Sequence, residues 1–498
     1  MRPERPPRRR LAELAERLGR PAPEAATGAG GPITGITHDS HGVRPGDLYA
    51  ALPGARTHGA RFAADAVQAG AVAVLTDPTG PGFTDGIGVP VVVVDDPRAV
   101  LGEIAAWVYG DPSAYLTVLG VTGTNGKTTT AYLLDAGLRA AGHVTGLVGT
   151  IDTRIAGERV SSVRTTPEAT DLQALFAVMR ERGVDAVSME VSSHALALHR
   201  VDGTRFTAGL FTNLSQDHLD FHGDLDTYFA AKAALFDGRC AHEVVNIDDP
   251  YGRRLVRPAT VTVSAEGEPG ATWRATGIDH GRTGAPGFRV HGPGGTQAAA
   301  SVRSPGAFSV ANALLAIAAL VTVGVPLADA VRGTAALDVP GRMEQVDRGQ
   351  GFRVVVDYAH TPEAIAGALA ALRPMTRGRL IIVLGGGGDR DRAKRPLMGA
   401  AAARGADLVV VTDDNPRSED PAEIRAGIVE GARRVGPARP LDVGGRRAAI
   451  AVAIGLAEAG DTVLIAGKGH EQGQDIGGVV HPFDDRAVVA GLLDEAAG

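Results

Sequence analysis

Cysteine is almost absent: Cys240 is the only one in 498 residues. That excludes a disulfide framework and a thiolate metal site, and it fits a reducing cytoplasm. An excess of basic charge is also missing. The formal net charge of −7 argues against a general role on nucleic acid or at a membrane surface. No long run is purely apolar. The most apolar one, 307–325, carries Ser309, Asn312 and Thr322 and stops at Gly324 and Pro326, so a buried helix explains it better than a membrane span. The basic start, 2–10, interleaves five arginines with prolines and has no apolar core after it. It therefore lacks the apolar region of a secretory signal and is expected to be a frayed tail. No short-period repeat is present. What remains, 44% hydrophobic and 21% charged, is the composition of an ordinary soluble globular protein with room for roughly three domains.

The chain is organised around 117–130, TVLGVTGTNGKTTT. A short apolar run, 116–121, reads as a buried parallel strand, and 131–141 has helical spacing. Between them lie Gly123, Thr124, Asn125, Gly126, Lys127, Thr128 and Thr129. Strand, glycine loop, Lys-Thr and helix is the layout of a phosphate cradle. Glycines let backbone N–H groups approach phosphate oxygens, the helix N-terminus adds positive potential, Lys127 adds a charge and Thr128 can ligate Mg²⁺. Only Thr124 and Asn125 separate the two glycines, so the loop is a short variant of the usual P-loop. The protein is expected to handle a nucleoside triphosphate.

Apolar strands and helical patterns alternate along the rest of the chain. Strands are expected at 47–52, 71–76, 89–95, 186–190, 210–213, 352–357, 380–384, 408–412 and 463–466, and helices at 11–19, 98–108, 171–182 and 226–236. The glycine- and proline-rich stretch 264–297 reads as hairpins or loops. Breaker-rich sequence near 109–113 and 337–341 divides the chain into 1–113, 114–340 and 341–498. The fold class is α/β in three domains, the sheets parallel-rich and covered on both faces.

Polar residues cluster where apolar strands end, the place where open α/β sheets bind ligands. Glu190 closes one strand, and a carboxylate beside a phosphate loop can hold Mg²⁺. Segment 213–223 concentrates metal-capable side chains, with His218 and His222 at the spacing of a zinc pair but no third soft ligand in view. Lys232 sits among small apolar residues. By pattern it is a snorkelling surface lysine; if buried, its amine could add CO₂ and become an anionic oxygen ligand. The run Gly385-Gly-Gly-Gly-Asp-Arg390 fails the dinucleotide spacing. Arg390, Arg417 in DDNPR and Glu471 in GKGHE could instead clamp a zwitterion, guanidinium forks for carboxylates and a carboxylate for an ammonium.

Taken together, GTNGKTT, EVSSHALALHRV, TNLSQDHLDFHG, YFAAKAALF, DYAHTP, GGGGDRDRAKRPLM, DDNPRSEDP and GKGHE resemble, in order, the motifs of the Mur ligases. The likeness runs from about Thr37 to Asp485 and is closest to the members that add diaminopimelate to a UDP-linked muramoyl dipeptide. It implies a UDP-binding N-terminal domain, a central P-loop ATPase domain and a C-terminal Rossmann-like domain for the amino acid. By this resemblance Ser40, Thr165, Thr166, Ser192 and Arg200 contact the UDP-sugar substrate. The family often has Gln two residues before that arginine, where Leu198 stands here. Gly123, Thr124, Asn125, Gly126, Lys127, Thr128 and Thr129 hold the ATP phosphates, Asn312 meets the adenine, and Arg342 and Asp357 reach the nucleotide. Thr128, Glu190, His218 and Lys232, the last as a carbamate, belong to the sites of two Mg²⁺ ions. Lys127, Lys232, His218 and Arg342 form the catalytic set, and Arg390, Asp414, Asn415, Pro416, Arg417, Gly467 and Glu471 bind diaminopimelate.

The chemistry so implied is amide ligation through an acyl phosphate, in peptidoglycan precursor synthesis. Two anions must meet in its first step, so electrostatic clamping is expected to be the largest catalytic contribution. A cytoplasmic monomer acting on small molecules, with no nucleic-acid or integral-membrane partner, is expected. Two rivals stand beside it. A sister ligase would share the central domain but add lysine, a dipeptide, or glutamate to folate, and a non-enzymatic P-loop switch would have no use for Arg390 or Glu471.

Overall fold

The structure, a computed structural model, describes residues 1–20, 31–54, 56–162, 164–279, 285–435 and 440–497. They form two compact units, Met1–Thr122 with Gly142–Gly209 and Ala231–Ala241, and Gly123–Ala141 with Leu210–Ala230 and His242–Gly498.

In the first unit, strands Gly35–Thr37, Asp47–Ala51, Ala73–Thr76 and Val91–Val93 pair in that order, all parallel. Strand alternation sorts their side chains. Leu48 and Ala50 join one apolar cluster with Ile36, Ile104 and Trp107, while Tyr49 and Ala51 join another with Ala60 and Val74. Helix Pro97–Val108, capped by Asp96, covers the first face. A second run of strands in this unit pairs Ala186–Glu190 in parallel with Thr117–Thr122 and with Thr145–Val148. Thr153–Ile155 and Glu158–Val160 extend it antiparallel, a hairpin the sequence pattern did not announce.

The basic start is not a frayed tail. Arg2 Nη2 bonds Asp47 Oδ2 at 2.8 Å and Arg2 Nη1 also meets the Tyr109 hydroxyl. The Glu181 carboxylate accepts the Glu4 and Arg5 N–H groups at 2.8 Å each. Arg9 exchanges two backbone bonds with Ile33, and its guanidinium lies 5.1 Å from the Trp107 ring. The prolines leave few backbone donors free, and Arg2 finds a buried acceptor in Asp47.

In the second unit, Val261–Ser264 runs parallel to both Cys240–Asn246 and Trp273–Asp279. Gly287–His291 and Gln297–Ser301 then turn back antiparallel, as expected of 264–297, of which 280–284 lie outside the described residues. Ala307–Thr322 is a buried helix. No helix among the described residues is long and apolar enough to cross a membrane.

A six-stranded sheet completes this unit, in the order Glu344–Val346, Arg353–Asp357, Thr462–Ala466, Leu380–Gly386, Leu408–Asp413, Leu441–Asp442. Only the first pairing is antiparallel. Helices Pro362–Leu372, Lys394–Gly405 and Pro421–Arg433 pack on one face, and Arg446–Leu456 and Asp485–Ala497 on the other. Register matters here. Asp357 pairs with Ala466, and Gly386 with Asp413, so the strands end together and the loops that follow them share one edge.

Candidate active site

The phosphate loop follows strand Thr117–Thr122 and opens helix Lys127–Ala140. Gly126 has φ 88°, and a Cβ there would collide with Asn312 Oδ1. A glycine is required on both counts, and Asn312 is thereby set against the loop. The cradle is braced from segment 212–215. Asn213 Oδ1 accepts the Asn125 N–H at 2.9 Å, Thr212 Oγ1 donates to the Asn125 carbonyl at 2.6 Å, and Thr124 Oγ1 donates to the Ser215 carbonyl at 3.2 Å. Lys127 Nζ folds over the loop, 3.0 Å from the Gly123 carbonyl and 2.9 Å from that of Thr124. Beside it opens a cleft of about 240 Å³ lined by Asn213, Asn246, Asp248, Phe308, Asn312 and Leu315.

Arg342 donates from Nη2 to Thr128 Oγ1 at 3.1 Å, and its guanidinium carbon lies 4.2 Å from the centre of the Tyr358 ring. Its Nη1 is buried and meets no acceptor among the described residues. A buried guanidinium nitrogen without a partner is costly unless a ligand supplies an oxygen. Asp357 accepts N–H bonds from Met343 at 2.7 Å and Ala359 at 2.8 Å, and burial raises its carboxyl against the pull of Arg342. Asp357 thus braces the turn that carries Arg342.

His218 adopts a left-handed backbone, φ 54°, with Nε2 3.4 Å from Asp217 Oδ2. The Asp217 carboxylate is buried and also faces Lys394 Nζ at 3.3 Å and His360 Nε2 at 3.7 Å. Burial alone would raise its pKa, but His360, Lys394 and His218 hold the carboxyl well below the usual range. His222 is buried with its ring 4.9 Å from that of Tyr228. Among the described residues no group of three or more His, Cys, Asp or Glu side chains is arranged to hold a metal ion, the zinc-pair spacing of His218 and His222 included.

In the first unit, one network joins three of the expected substrate contacts, Thr165, Thr166 and Ser192, to Glu190. Thr150 donates to Glu190 from its N–H at 2.7 Å and its hydroxyl at 3.1 Å, and its Oγ1 lies 3.0 Å from Thr165 Oγ1. Thr166 Oγ1 donates to the Glu190 carbonyl at 2.8 Å and accepts the Ser192 N–H at 3.2 Å. Nearby in sequence, Glu168 is buried among three guanidinium groups, Arg200 at 2.8 Å, Arg98 at 3.3 Å and Arg164 at 3.7 Å. Burial lowers the Arg200 pKa, with Glu168 opposing. Ser40 stands apart from this network, beside Tyr49. Lys232 is 1% exposed on helix Leu225–Ala233, so the snorkelling reading of its pattern is wrong. Its neighbour Ala230 is exposed and Ala231, Ala233 and Ala234 are half-buried, so the lysine is buried more deeply than the small residues that flank it.

At the shared edge of the six-stranded sheet, loops 386–390 and 414–417 interlock. A Cβ on Gly388 would strike the Pro416 carbonyl, and one on Gly387 would stand 3.1 Å from Arg417 Nη1 and 3.6 Å from Arg390 Cγ. Arg390 and Arg417 therefore flank one glycine. Arg417 Nη1 donates to the Gly388 carbonyl at 2.6 Å. Asn415 Nδ2 donates to Glu471 Oε2 at 2.9 Å, tying the DNPR loop to the one that follows Ala466.

Residues 32–109 match the Mur ligase family catalytic domain, 121–320 the Mur ligase middle domain and 341–469 the Mur ligase glutamate ligase domain. A Streptomyces coelicolor protein named UDP-N-acetylmuramoyl-L-alanyl-D-glutamate–2,6-diaminopimelate ligase is 56% identical over 496 residues, 98% of this chain and 97% of its own. The chain belongs to the Mur ligase family. A Corynebacterium glutamicum protein of the same name is 50% identical over 477 residues, covering 93% of this chain and 92% of its own. A solved structure bearing that name is 33% identical with a TM-score of 0.65, covering 94% and 96%. The MurF ligase of Thermotoga maritima in complex with ADP shares the fold at 18% identity and a TM-score of 0.61, covering 93% and 96%. The Mur ligase fold is α/β with N-terminal, central and C-terminal domains.

Three buried groups were not picked out from sequence as site residues: Asp217 with Lys394, and Lys468. Lys468 is part of GKGHE, two residues after the all-apolar strand Thr462–Ala466.

Proposed function

We propose that this Mur ligase joins diaminopimelate to UDP-N-acetylmuramoyl-L-alanyl-D-glutamate at the expense of ATP, in peptidoglycan precursor synthesis. The observation that carries the reading is the DNPR loop, where Arg417 and Arg390 flank Gly387 while Asn415 hydrogen-bonds Glu471. Two guanidinium groups and one carboxylate suit the far carboxylate and ammonium of diaminopimelate, and lysine offers no such carboxylate. The names of the relatives at 56% and 50% identity support the same substrate.

In this reading 1–113 binds the UDP moiety, 114–340 binds ATP and 341–498 binds the amino acid. Ser40, Thr165, Thr166, Ser192 and Arg200 contact the UDP-sugar dipeptide. The loop from Gly123 to Thr129 holds the phosphates, and Asn312 borders the cleft that would take the adenine. The free carboxylate of the D-glutamate attacks the γ-phosphorus and ADP leaves, giving an acyl phosphate. Lys127 and Arg342 offset the charge that builds on the transferred phosphoryl group. The diaminopimelate amine then attacks the acyl carbon, and phosphate leaves as the amide forms.

The donors suit Mg²⁺, which takes few protein oxygens and completes its shell with phosphates and water. Thr128 and Glu190 offer a hydroxyl and a carboxylate, with His218 and a carbamylated Lys232 completing the set inferred from the family. When bound, two such ions would neutralise phosphate charge. The buried position of Lys232 fits the carbamate, because burial favours the neutral amine that adds CO₂. We place the enzyme in the cytoplasm as a monomer acting on small molecules only. The test is incubation with the UDP-sugar dipeptide, ATP and diaminopimelate, followed by mass spectrometry. One ADP and one phosphate per tripeptide product are expected; ATP turnover without an amide product would overturn the reading.

A further inference from the structure

We propose that Lys468 is a positioning residue for the amino-acid substrate. With Asn415 it occupies one carboxylate oxygen of Glu471 and leaves the other, Oε1, to receive an ammonium. The proposal rests on the reading that Glu471 faces diaminopimelate.

Lys468 follows strand Thr462–Ala466 by two residues and is 0% exposed. Its Nζ lies 2.9 Å from Glu471 Oε2, 3.0 Å from Asn415 Oδ1 and 3.8 Å from Asp414 Oδ1. A buried ammonium has three donors to place, and three acceptors face it. Its position also decides how Asn415 is turned. Asn415 Oδ1 accepts from Lys468 and from the Asp475 N–H at 3.0 Å, so the amide nitrogen is the group that points at Glu471. Glu471 Oε2 thus accepts two hydrogen bonds, while Oε1 accepts none among the described residues. The side chain is 31% exposed, so the carboxylate is pinned by one oxygen and presented by the other.

The charges around it are matched to the same end. Arg446 and Asp485 neutralise each other at 2.7 Å with both side chains 0% exposed. Asp414 and Glu471 would leave two negative charges at the loop, and Lys468 offsets one. One net negative charge remains for one ammonium. A carboxylate held in this way surrenders little freedom when the ligand arrives, which is how preorganisation improves binding.

Initial-rate kinetics on Lys468→Met and Lys468→Gln test this, varying each substrate in turn. The KM for diaminopimelate is expected to rise at least about tenfold in both variants. The KM values for ATP and for the UDP-sugar dipeptide should stay within about twofold. In a Glu471→Gln background the Lys468 substitution should change KM less than about threefold, because the carboxylate it positions is gone. The glutamine variant keeps a donor without the charge and carries the same expectation should the methionine variant fail to fold. An unchanged KM for diaminopimelate, equal shifts for all three substrates, or full additivity with Glu471→Gln would each overturn the assignment. A wild-type enzyme that does not turn over diaminopimelate at all would instead refute the proposed function.

Discussion

Replacing Arg342 by methionine separates catalysis from stability, because the residue's contacts pull in opposite directions before substrate binds. The guanidinium gains about 1 kcal/mol from its place over Tyr358, 4.2 Å away. The bond to Thr128 at 3.1 Å is worth about another 1 kcal/mol. Against these stands Nη1, buried without an acceptor among the described residues, at a cost of about 1–3 kcal/mol. Methionine keeps the length and removes all three, so the free enzyme should change in stability by less than about 1 kcal/mol. Turnover is another matter. If Nη1 is held for a phosphate oxygen, the lost charge costs about 3–4 kcal/mol in the transition state, or roughly a hundred- to a thousandfold in kcat. Phosphate release at saturating substrate, beside urea unfolding of the same preparation, reads both quantities. A kcat within about threefold of wild type, or a fall fully explained by unfolding, would refute the reasoning.

Lys232→Ala should be nearly inactive, with short carboxylic acids restoring part of the phosphate release; an unmodified mass at Lys232 and a functional alanine variant would count against the carbamate. Asp485→Asn leaves Arg446 buried without its partner and should cost about 3–5 kcal/mol in urea unfolding, whereas a loss under about 1 kcal/mol would contradict the buried pair. Burial, helped by Arg342 and Arg486, lowers the His470 pKa to about 3, so between the ordinary imidazole value and that figure the unfolded chain binds a proton the native one refuses. Native stability is therefore intact above about pH 7 and falls by about 2 kcal/mol on going to pH 5. His470→Gln should remove that part of the slope in calorimetry at the two pH values, and an identical slope would sink the idea.

The phosphate cradle was legible because its chemistry is local: strand, glycines, lysine and helix are neighbours in the chain. The edge of the six-stranded sheet was legible for a related reason, since polar motifs directly after apolar strands must lie at the carboxyl end of a parallel sheet. Residues whose role depends on distant partners were not. Lys394 pairs Asp217 across 177 positions, and no spacing rule connects them. Lys232 looked like a surface lysine because helical pattern reports neighbours in sequence, not the layers packed above them. The arginine-rich start read as a tail for the same reason, its acceptors being as far away as Glu181. The antiparallel edge strands, such as Glu158–Val160, are short and half exposed, too weakly patterned to stand out.

Selectivity between diaminopimelate and lysine tests the central claim most directly. Arg417 is held by one arm on the Gly388 carbonyl at 2.6 Å, with Arg390 across Gly387. Lysine would leave the pair without a carboxylate, at a cost of about 2–5 kcal/mol. The predicted ratio of kcat/KM is therefore roughly thirtyfold to several thousandfold in favour of diaminopimelate. In Arg417→Ala that ratio should collapse toward one through loss of the diaminopimelate rate, with the KM for ATP unchanged. A wild-type enzyme that used lysine as well as diaminopimelate would contradict the account.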